Sequence, residues 1–268
     1  MGKGKGGVRL HVPEWKEDVV YLFQFPRTKH LPNISPYCLK VESFLRLHGV
    51  KYEVRETFKL RSSQGLLPMI ELNGRQVGDS GLIIAHLKKT LNIQDYSDDK
   101  EAAQGRVISK ACDAFTAHTI YKYKILDNSK NFAGEIMTAA KMPNFAKGIA
   151  TALFARQIRK SANMKIGAQL GIWPDGAHEE MVRDELQMYE TLLKNFVGHN
   201  LFGDKITEAD LTLWSHLATT LYMPFDLLPQ KLIREDFPHL KSFTERLRDK
   251  LWPDWEKADF TPQVSPCK

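Results

Sequence analysis

One change of pattern near residue 98 constrains the fold of this chain more than any other feature of its sequence. Between residues 19 and 91, short β-branched and aromatic segments alternate with amphipathic segments of helical spacing. After residue 98, the spacing is helical throughout. Alternating strands and helices build a sheet covered by helices, whereas a run of helices packs on itself. We therefore predict an α/β domain followed by an all-α domain.

The first domain is predicted to begin with a strand and a helix. Segment 19–25 is rich in β-branched and aromatic residues and stops at Pro26, which is typical of a buried strand. Ser35 and Pro36 open the helix, since serine is a favourable N-cap and proline suits the first helical position. Residues 26–34 form the loop between these two elements.

The rest of the first domain is predicted as a strand, a hairpin and a second helix. Residues 52–57 alternate as a strand, and a loop or a helix connects them to the next strand. The Asn-Gly pair at 73–74 predicts a type I′ turn, and it follows the apolar strand 66–72. The Asp-Ser pair at 79–80 caps a helix that ends near residue 91. This order of elements is that of a thioredoxin-like domain.

The domain boundaries follow from these patterns and from the polar linker near residue 98. We predict a thioredoxin-like domain at 18–94 and an all-helical domain at 99–255. A flexible basic arm at 1–17 precedes them, and a tail at 256–268 follows. In the second domain, helical patterns cover residues 99–128, 134–163, 177–196, 207–221, 227–234 and 238–250.

Composition and charge argue against several classes of function. No apolar stretch reaches the ~20 residues that span a bilayer, so no transmembrane segment is expected. The three cysteines are far apart and odd in number, which argues against a disulfide framework and favours a reducing, cytoplasmic location. The histidines show no metal-ligand spacing, so no metal is expected. The net charge of +6 comes without a nucleic-acid motif, so nucleic acid is not an expected partner.

The start of the first helix places a serine and a cysteine one turn apart. A helix N-terminus presents unpaired N–H groups and a partial positive charge, so a thiolate placed there is stabilised. Ser35 and Cys38 therefore indicate a thiol site. The alternative is an ordinary N-cap serine followed by a buried cysteine.

Two further pairs have both a functional and a structural interpretation. Proline is rare inside a sheet unless its peptide bond is cis or a strand begins there, so Leu67-Pro68 predicts one of these cases. The surrounding order of elements favours the cis bond. Asp79 and Ser80 stand at a helix start, where free N–H groups bind a carboxylate. This role is compatible with the alternative, an ordinary N-cap.

A basic segment in the second domain also has two interpretations. From Ile136 to Pro174 there is no acidic residue, and large apolar residues (Phe145, Ile149, Leu153 and Ile158) are interspersed. The segment is either a basic amphipathic helix for a membrane surface or an anionic partner, or a bundle helix with a solvated basic face. Its basic residues are Lys141, Lys147, Arg156, Arg159, Lys160 and Lys165.

Together these motifs resemble those of the glutathione-transferase family over about residues 19–255. Segment 35–38 (Ser-Pro-Tyr-Cys) resembles the glutaredoxin and omega-class site motif with serine in the nucleophile's place. The pair 67–68 resembles the family's cis-proline site, and the pair 79–80 resembles its Glu/Asp-Ser pair for the γ-glutamyl end of glutathione. Segment 207–210, with Thr and Asp at capping-box spacing, resembles the family's capping box in the second domain.

A narrower resemblance is to the failed-axon-connections branch, which also takes in nematode cadmium-responsive proteins and, more distantly, metaxins. Metaxins work as membrane-associated import components, and the branch is not defined by transferase activity. The segments that carry this resemblance are Phe-Pro-Arg at 25–27, the stretch 35–42, Tyr-Met-Pro-Phe at 222–225 and Leu-Trp-Pro-Asp-Trp at 251–255.

The resemblance implies a glutathione-transferase fold and two alternative functions. As a transferase, the protein conjugates glutathione, its substrate, to hydrophobic electrophiles without a further cofactor. Transferases are usually dimers, but their interface has no short motif, so the sequence leaves open whether the protein is a homodimer. Ser35 is then the catalytic residue, and Tyr37 is the alternative donor. The alternative function is that of a catalytically silent interaction protein, in axon development or at a membrane surface. The glutathione-binding residues that the resemblance implies are Ser35, Leu67, Pro68, Asp79 and Ser80.

Overall fold

The computed structural model describes residues 10–195 and 198–255, which fold into two compact units. Among these residues, the first unit takes in the chain up to Arg27, the segment Pro32–Gln94 and the residues from Asp249 onward. The second unit takes in Thr28–Leu31 and Asp95–Arg248. The first unit contains a sheet and helices and the second is helical, which confirms the predicted fold class.

The first unit is built on a four-stranded mixed sheet. Its elements are β1 (Val20–Gln24), α1 (Pro36–Leu47), β2 (Tyr52–Glu56), β3 (Met69–Leu72), β4 (Arg75–Gly78) and α2 (Ser80–Leu91). The strands lie in the order β2-β1-β3-β4; β1 is parallel to β2, and β3 is antiparallel to both β1 and β4. All five residues of β1 are buried, which explains its continuous apolar sequence. Helices α1 and α2 pack against each other.

The turn between β3 and β4 has the geometry that the sequence predicts. Asn73 and Gly74 have φ angles of 48° and 78°. A type I′ turn requires positive φ at both central residues, and asparagine and glycine tolerate this conformation best. The connection from β2 to β3, which the sequence left open between loop and helix, is a loop.

The elements that follow in the described chain are mainly helices. They are α3 (Asp99–Ala111), α4 (Ala117–Tyr121), α5 (Ser129–Ala139), α6 (Asn144–Leu170), α7 (Asp175–Asn195), α8 (Glu208–Leu221), α9 (Leu228–Glu235) and α10 (Pro238–Leu251). Two π-helical turns, Cys112–Thr116 and Lys122–Asp127, interrupt the stretch that the sequence predicts as one helix over 99–128. Within the described residues, no helix combines the length and the apolar character needed to cross a membrane.

The predicted single helix over 134–163 is wrong, because the chain breaks between α5 and α6. Lys141 adopts a left-handed φ of 53°, and Pro143 has no N–H group with which to continue a helix. The two helices pack against each other. A few residues separate them, too few to disturb the helical spacing that the sequence shows.

The predicted capping box at the start of α8 is confirmed. The Asp210 N–H donates to Thr207 Oγ1 at 3.4 Å, and the Thr207 N–H donates to Asp210 Oδ2 at 2.8 Å. Asp210 Oδ1 also accepts a hydrogen bond of 2.8 Å from the Leu201 N–H. The carboxylate therefore fixes both the helix start and the bend before it. Every residue from Ala209 to Leu221 is buried, so α8 lies within the core of the second unit.

Two residues of the segment predicted as a flexible arm, 1–17, are hydrogen-bonded to the sheet. His11 and Val12 donate their backbone N–H groups to the two carboxylate oxygens of buried Glu71, at 2.8 and 2.9 Å. Val12 also packs against the buried cluster that contains Phe23. Because these bonds satisfy a buried charge, they fix the segment to the sheet. Residues 1–9 and the predicted tail 256–268 lie outside the described residues.

The end of the described chain also departs from the predicted boundary at residue 255. Trp252 donates its indole N–H to Ser43 Oγ at 2.9 Å, and Arg46 makes two hydrogen bonds to Asp254, at 2.8 and 2.9 Å. Arg46 Cζ lies 3.6 Å from the centre of the Trp252 ring, a cation–π contact. These contacts explain why the residues after Asp249 group with the α/β unit.

Candidate functional site

The strand register brings two predicted site pairs to one end of the sheet. Met69 of β3 lies opposite Phe23 of β1 and opposite Gly78 of β4. The pair 67–68 directly precedes Met69, and the pair 79–80 directly follows Gly78. Both pairs therefore lie at the end of the sheet where β1 ends. The loop that leaves β1 at this end leads to the start of α1.

Ser35 is the N-cap of α1, as predicted. Its Oγ accepts a hydrogen bond of 3.4 Å from the Cys38 N–H, and its backbone N–H donates to Asn33 Oδ1 at 3.0 Å. Buried Asn33 also donates its side-chain N–H to the Phe25 carbonyl at 2.8 Å. Asn33 thereby joins the end of β1 to the start of α1. Ser35 is half-buried, and its hydroxyl accepts from the cap N–H while it donates to the Cys38 side chain, so a ligand thiolate would compete with Cys38 for this proton.

Cys38 follows the structural alternative that the sequence left open. Its side chain is fully buried, and this burial raises the pKa of the Cys38 thiol to about 12. The hydrogen bond with Ser35 opposes the shift without cancelling it. Cys38 is therefore protonated at neutral pH, and the partial positive charge of the helix N-terminus can act on a thiol from elsewhere.

A buried ion pair anchors the loop between β1 and α1. Arg27 makes two hydrogen bonds to the Glu42 carboxylate, at 2.6 and 3.1 Å, and a third to the Pro32 carbonyl at 3.2 Å. Glu42 is fully buried and also accepts 2.6 Å and 3.2 Å hydrogen bonds from Gln24 and Tyr52. Arg27 thus ties the loop to the helix that Ser35 begins. A bidentate pair in which both carboxylate oxygens are hydrogen-bonded fixes the position of the loop relative to the helix.

Three residues that position Ser35 were missed by the sequence reasoning, namely Arg27, Asn33 and Glu42. Arg27 and Glu42 stand in segments 25–27 and 35–42, which carry the narrower resemblance, so a signal was present. Their pairing across the loop could not be read from spacing. Asn33 gave no signal beyond that of an ordinary loop residue.

The Leu67–Pro68 peptide bond is cis, which confirms the prediction. The Leu67 side chain is half-buried and packs against the cluster formed by Tyr21, Phe23 and Met69. No hydrogen bond joins the backbone of Leu67 to another described residue. A backbone donor and acceptor are therefore left for a peptide-like ligand at this end of the sheet.

Asp79 and Ser80 provide complementary groups at the start of α2. Asp79 is the N-cap, and its Oδ1 accepts hydrogen bonds of 3.0 Å from the N–H groups of Gly81 and Leu82. These bonds leave the Ser80 N–H and hydroxyl, and Asp79 Oδ2, without a partner among the described residues. Asp79 also has a φ of 71°, a conformation that costs energy for a residue other than glycine and is frequent at ligand sites. The site offers two donors for a carboxylate and one anionic oxygen for an ammonium group.

Comparison with known families matches both units of the chain. Residues 36–130 match the model of the glutathione S-transferase N-terminal domain, and residues 183–247 match that of the glutathione S-transferase C-terminal domain. Failed axon connections of Drosophila melanogaster is 31% identical over 263 residues, which cover 92% of this chain and 62% of that protein. The chain thus spans less than two thirds of the length of this relative.

Two transferases extend the comparison. The isoprene-epoxide–glutathione S-transferase of Rhodococcus sp. strain AD45 is 25% identical over 234 residues, which cover 81% of this chain and 93% of that protein. The crystal structure of glutathione transferase GSTFuA3 from Phanerochaete chrysosporium superposes with a TM-score of 0.60 at 15% identity, over 87% of this chain and 97% of that one. At this identity, the superposition supports the fold.

Proposed function

Because this chain belongs to the glutathione-transferase superfamily, in the branch of Failed axon connections, we propose that it binds glutathione and conjugates it to hydrophobic electrophiles. The observation that carries the proposal is the arrangement at the start of α2. There, the Ser80 N–H and hydroxyl and the Asp79 Oδ2 lack partners among the described residues. A donor pair beside an anionic oxygen is complementary to the carboxylate and ammonium groups of an α-amino acid, such as the γ-glutamyl end of glutathione.

Each predicted residue then has a role in holding the tripeptide. Ser80 binds the γ-glutamyl carboxylate, and Asp79 attracts the neighbouring ammonium group. The backbone of Leu67, next to Pro68, pairs with the backbone of the glutathione cysteine. With the γ-glutamyl group and the cysteine backbone of glutathione held in this way, the glutathione thiol lies toward the start of α1.

Ser35 is the proposed catalytic residue. Its hydroxyl donates a hydrogen bond to the glutathione sulfur, and the N-terminal dipole of α1 favours the thiolate. The glutathione thiol loses its proton to solvent, and the thiolate electron pair forms a carbon–sulfur bond as the bond from that carbon to its leaving group breaks and the leaving group departs with the electron pair. A lost hydrogen bond to a charged group costs about 1.5–3 kcal/mol, so Ser35→Ala slows conjugation by about 10- to 150-fold. Tyr37, half-buried at the second position of α1, is the alternative donor.

Glutathione binding is tested by calorimetric titration of the full chain. Ser80→Ala removes the hydroxyl but keeps the N–H, and we expect it to weaken binding by about 1–3 kcal/mol. Ser129→Ala is the matched control, because Ser129 is also a buried serine at the first position of a helix, α5. Equal affinity in the two variants would remove Ser80 from the site.

We propose further that the protein acts in the cytoplasm as a homodimer in detoxification or the response to stress. The sequence supports the location through its cysteines, which are three in number and far apart. The fold supports the dimer by analogy with transferases. Gel filtration with light scattering and fractionation of cells test these two statements separately.

A catalytically silent interaction protein is the second candidate function. The similarity to Failed axon connections favours it, because that name refers to axons and not to a reaction. Retention on glutathione-agarose followed by a conjugation assay with a generic electrophile separates the two. Binding without a rate above the uncatalysed reaction would support the interaction protein, in which Ser35 remains a helix cap.

A further inference from the structure

Helix α6 lies between the two segments that match the transferase domain models. The two matched domains cover residues 36–130 and 183–247, so the whole of α6, Asn144–Leu170, lies between them. The helix also takes no part in the candidate glutathione site.

One face of α6 carries an exposed apolar stripe. Phe145, Ile149 and Leu153 are 89%, 71% and 67% exposed, and their spacing of four places them on one face over a little more than two turns. The helix already has a core face, on which Ala162, Ile166 and Leu170 are buried against the second π-helical turn. The stripe is therefore additional to the face that the fold requires. Ile158, which the sequence pattern grouped with it, is half-buried.

Basic residues continue the same face toward the C-terminus of α6. Arg156 and Lys160 are exposed and follow Leu153 at helical spacing. Four further basic residues and no acidic residue lie in the segment from Ile136 to Pro174. The face thus combines apolar residues at one end with a positive charge that no neighbouring carboxylate in the segment offsets.

We propose that this face of α6 docks the protein on the surface of an anionic phospholipid membrane. Large apolar side chains enter the boundary between headgroups and acyl chains, while Lys and Arg contact anionic headgroups, which is the pattern of interfacial helices. At 1.5 Å per residue the helix is about 40 Å long, so it presents an extended line of contact. A second copy of the chain fits less well, because the basic residues of two such faces would repel one another. Trp173, half-exposed just after the helix, has the side chain that is enriched at membrane interfaces.

Co-sedimentation of the full chain with vesicles tests the proposal. We expect binding to vesicles of phosphatidylcholine mixed with phosphatidylserine, weakening as salt is added, and little binding to phosphatidylcholine alone. Replacing Phe145, Ile149 and Leu153 by serine together is expected to weaken binding at least about tenfold. Arg156→Gln and Lys160→Gln are each expected to weaken it about fivefold.

A matched control comes from α3, which also exposes an apolar and a basic residue. Val107 is 69% exposed and Lys110 is exposed, so Val107→Ser with Lys110→Gln changes the same surface chemistry elsewhere. This variant is expected to bind vesicles like the wild type. Circular dichroism of each variant checks that its helices are intact.

Three results would overturn the proposal. One is the absence of binding to anionic vesicles, and another is binding that the α6 substitutions leave unchanged. The third combines two measurements: the wild type does not bind vesicles, and light scattering shows that it is a dimer which the serine substitutions convert to a monomer. This result would assign the face to a second copy of the chain. None of these results depends on glutathione, so they leave the proposed enzymatic function untouched.

Discussion

The carboxylate of Asp210 has more partners than its place in a capping box requires, and its removal gives a sharp prediction. It is fully buried and accepts hydrogen bonds from the Thr207 N–H, the Thr207 hydroxyl and the Leu201 N–H, at 2.8, 2.6 and 2.8 Å. Asp210→Ala leaves all three donors without this acceptor. The hydroxyl can reorient, whereas the two backbone N–H groups cannot.

The magnitude follows from these two N–H groups. A buried donor without an acceptor costs about 1–3 kcal/mol, so Asp210→Ala is expected to destabilise the protein by about 2–6 kcal/mol. An ordinary N-cap contributes about 0.5–2 kcal/mol. The difference measures how much the bond to Leu201 adds to the cap.

Asp98→Ala is the matched control. Asp98 is the N-cap of α3, is exposed, and accepts a 2.8 Å hydrogen bond from the Glu101 N–H. We expect this substitution to cost about 1 kcal/mol. Urea unfolding followed by circular dichroism measures both variants, and equal slopes of the transitions are required for the comparison. If Asp210→Ala costs no more than Asp98→Ala, the reasoning from buried donors is refuted.

Two further predictions concern the second unit. A Cβ at Gly105 would lie 2.3–2.4 Å from atoms of the Tyr96 side chain, so Gly105→Ala is expected to lower the melting temperature. Gly134→Ala on α5 is the control: its Cβ would have no neighbour within 4 Å, and the higher helix propensity of alanine is expected to raise the melting temperature. The same change of melting temperature in both variants would refute the clash. Burial lowers the pKa of the Lys124 ammonium to about 7, below its unfolded value, so the unfolded state binds one more proton above pH 7. The wild type should therefore gain about 1.4 kcal/mol of stability per pH unit over Lys124→Met between pH 7 and 10, and a constant difference across this range would contradict the buried ammonium.

The α/β order could be predicted because local chemistry specifies each element of the first unit. The proline after β1, the serine cap of α1 and the Asn-Gly turn each admit few conformations. The two ends of the described chain could not be predicted in the same way. His11 and Val12 are held by Glu71, about 60 residues away, and Trp252 is held by Ser43, about 210 residues away. Such pairings leave no periodic pattern.

The candidate site was predictable as a set of residues but not as a geometry. The pairs 67–68 and 79–80 stand out because proline and a cap are unusual next to strands. That Asp79 uses a single oxygen for the cap, leaving Ser80 with two donors, depends on rotamers and backbone angles. The break between α5 and α6 did have a sequence signal, because Pro143 cannot continue a helix, whereas the left-handed Lys141 has no signature of its own.

The protonation of bound glutathione most directly tests whether this protein activates a thiol. The ultraviolet absorbance of the thiolate, measured against pH in the complex, gives the pKa of the bound thiol. We predict a value below the ~8.5 of a free thiol, raised by about 1–2 units in Ser35→Ala and unchanged in Tyr37→Phe. A bound thiol that titrates as it does in water, or a lowered pKa that Ser35→Ala leaves in place, would contradict the role given to Ser35.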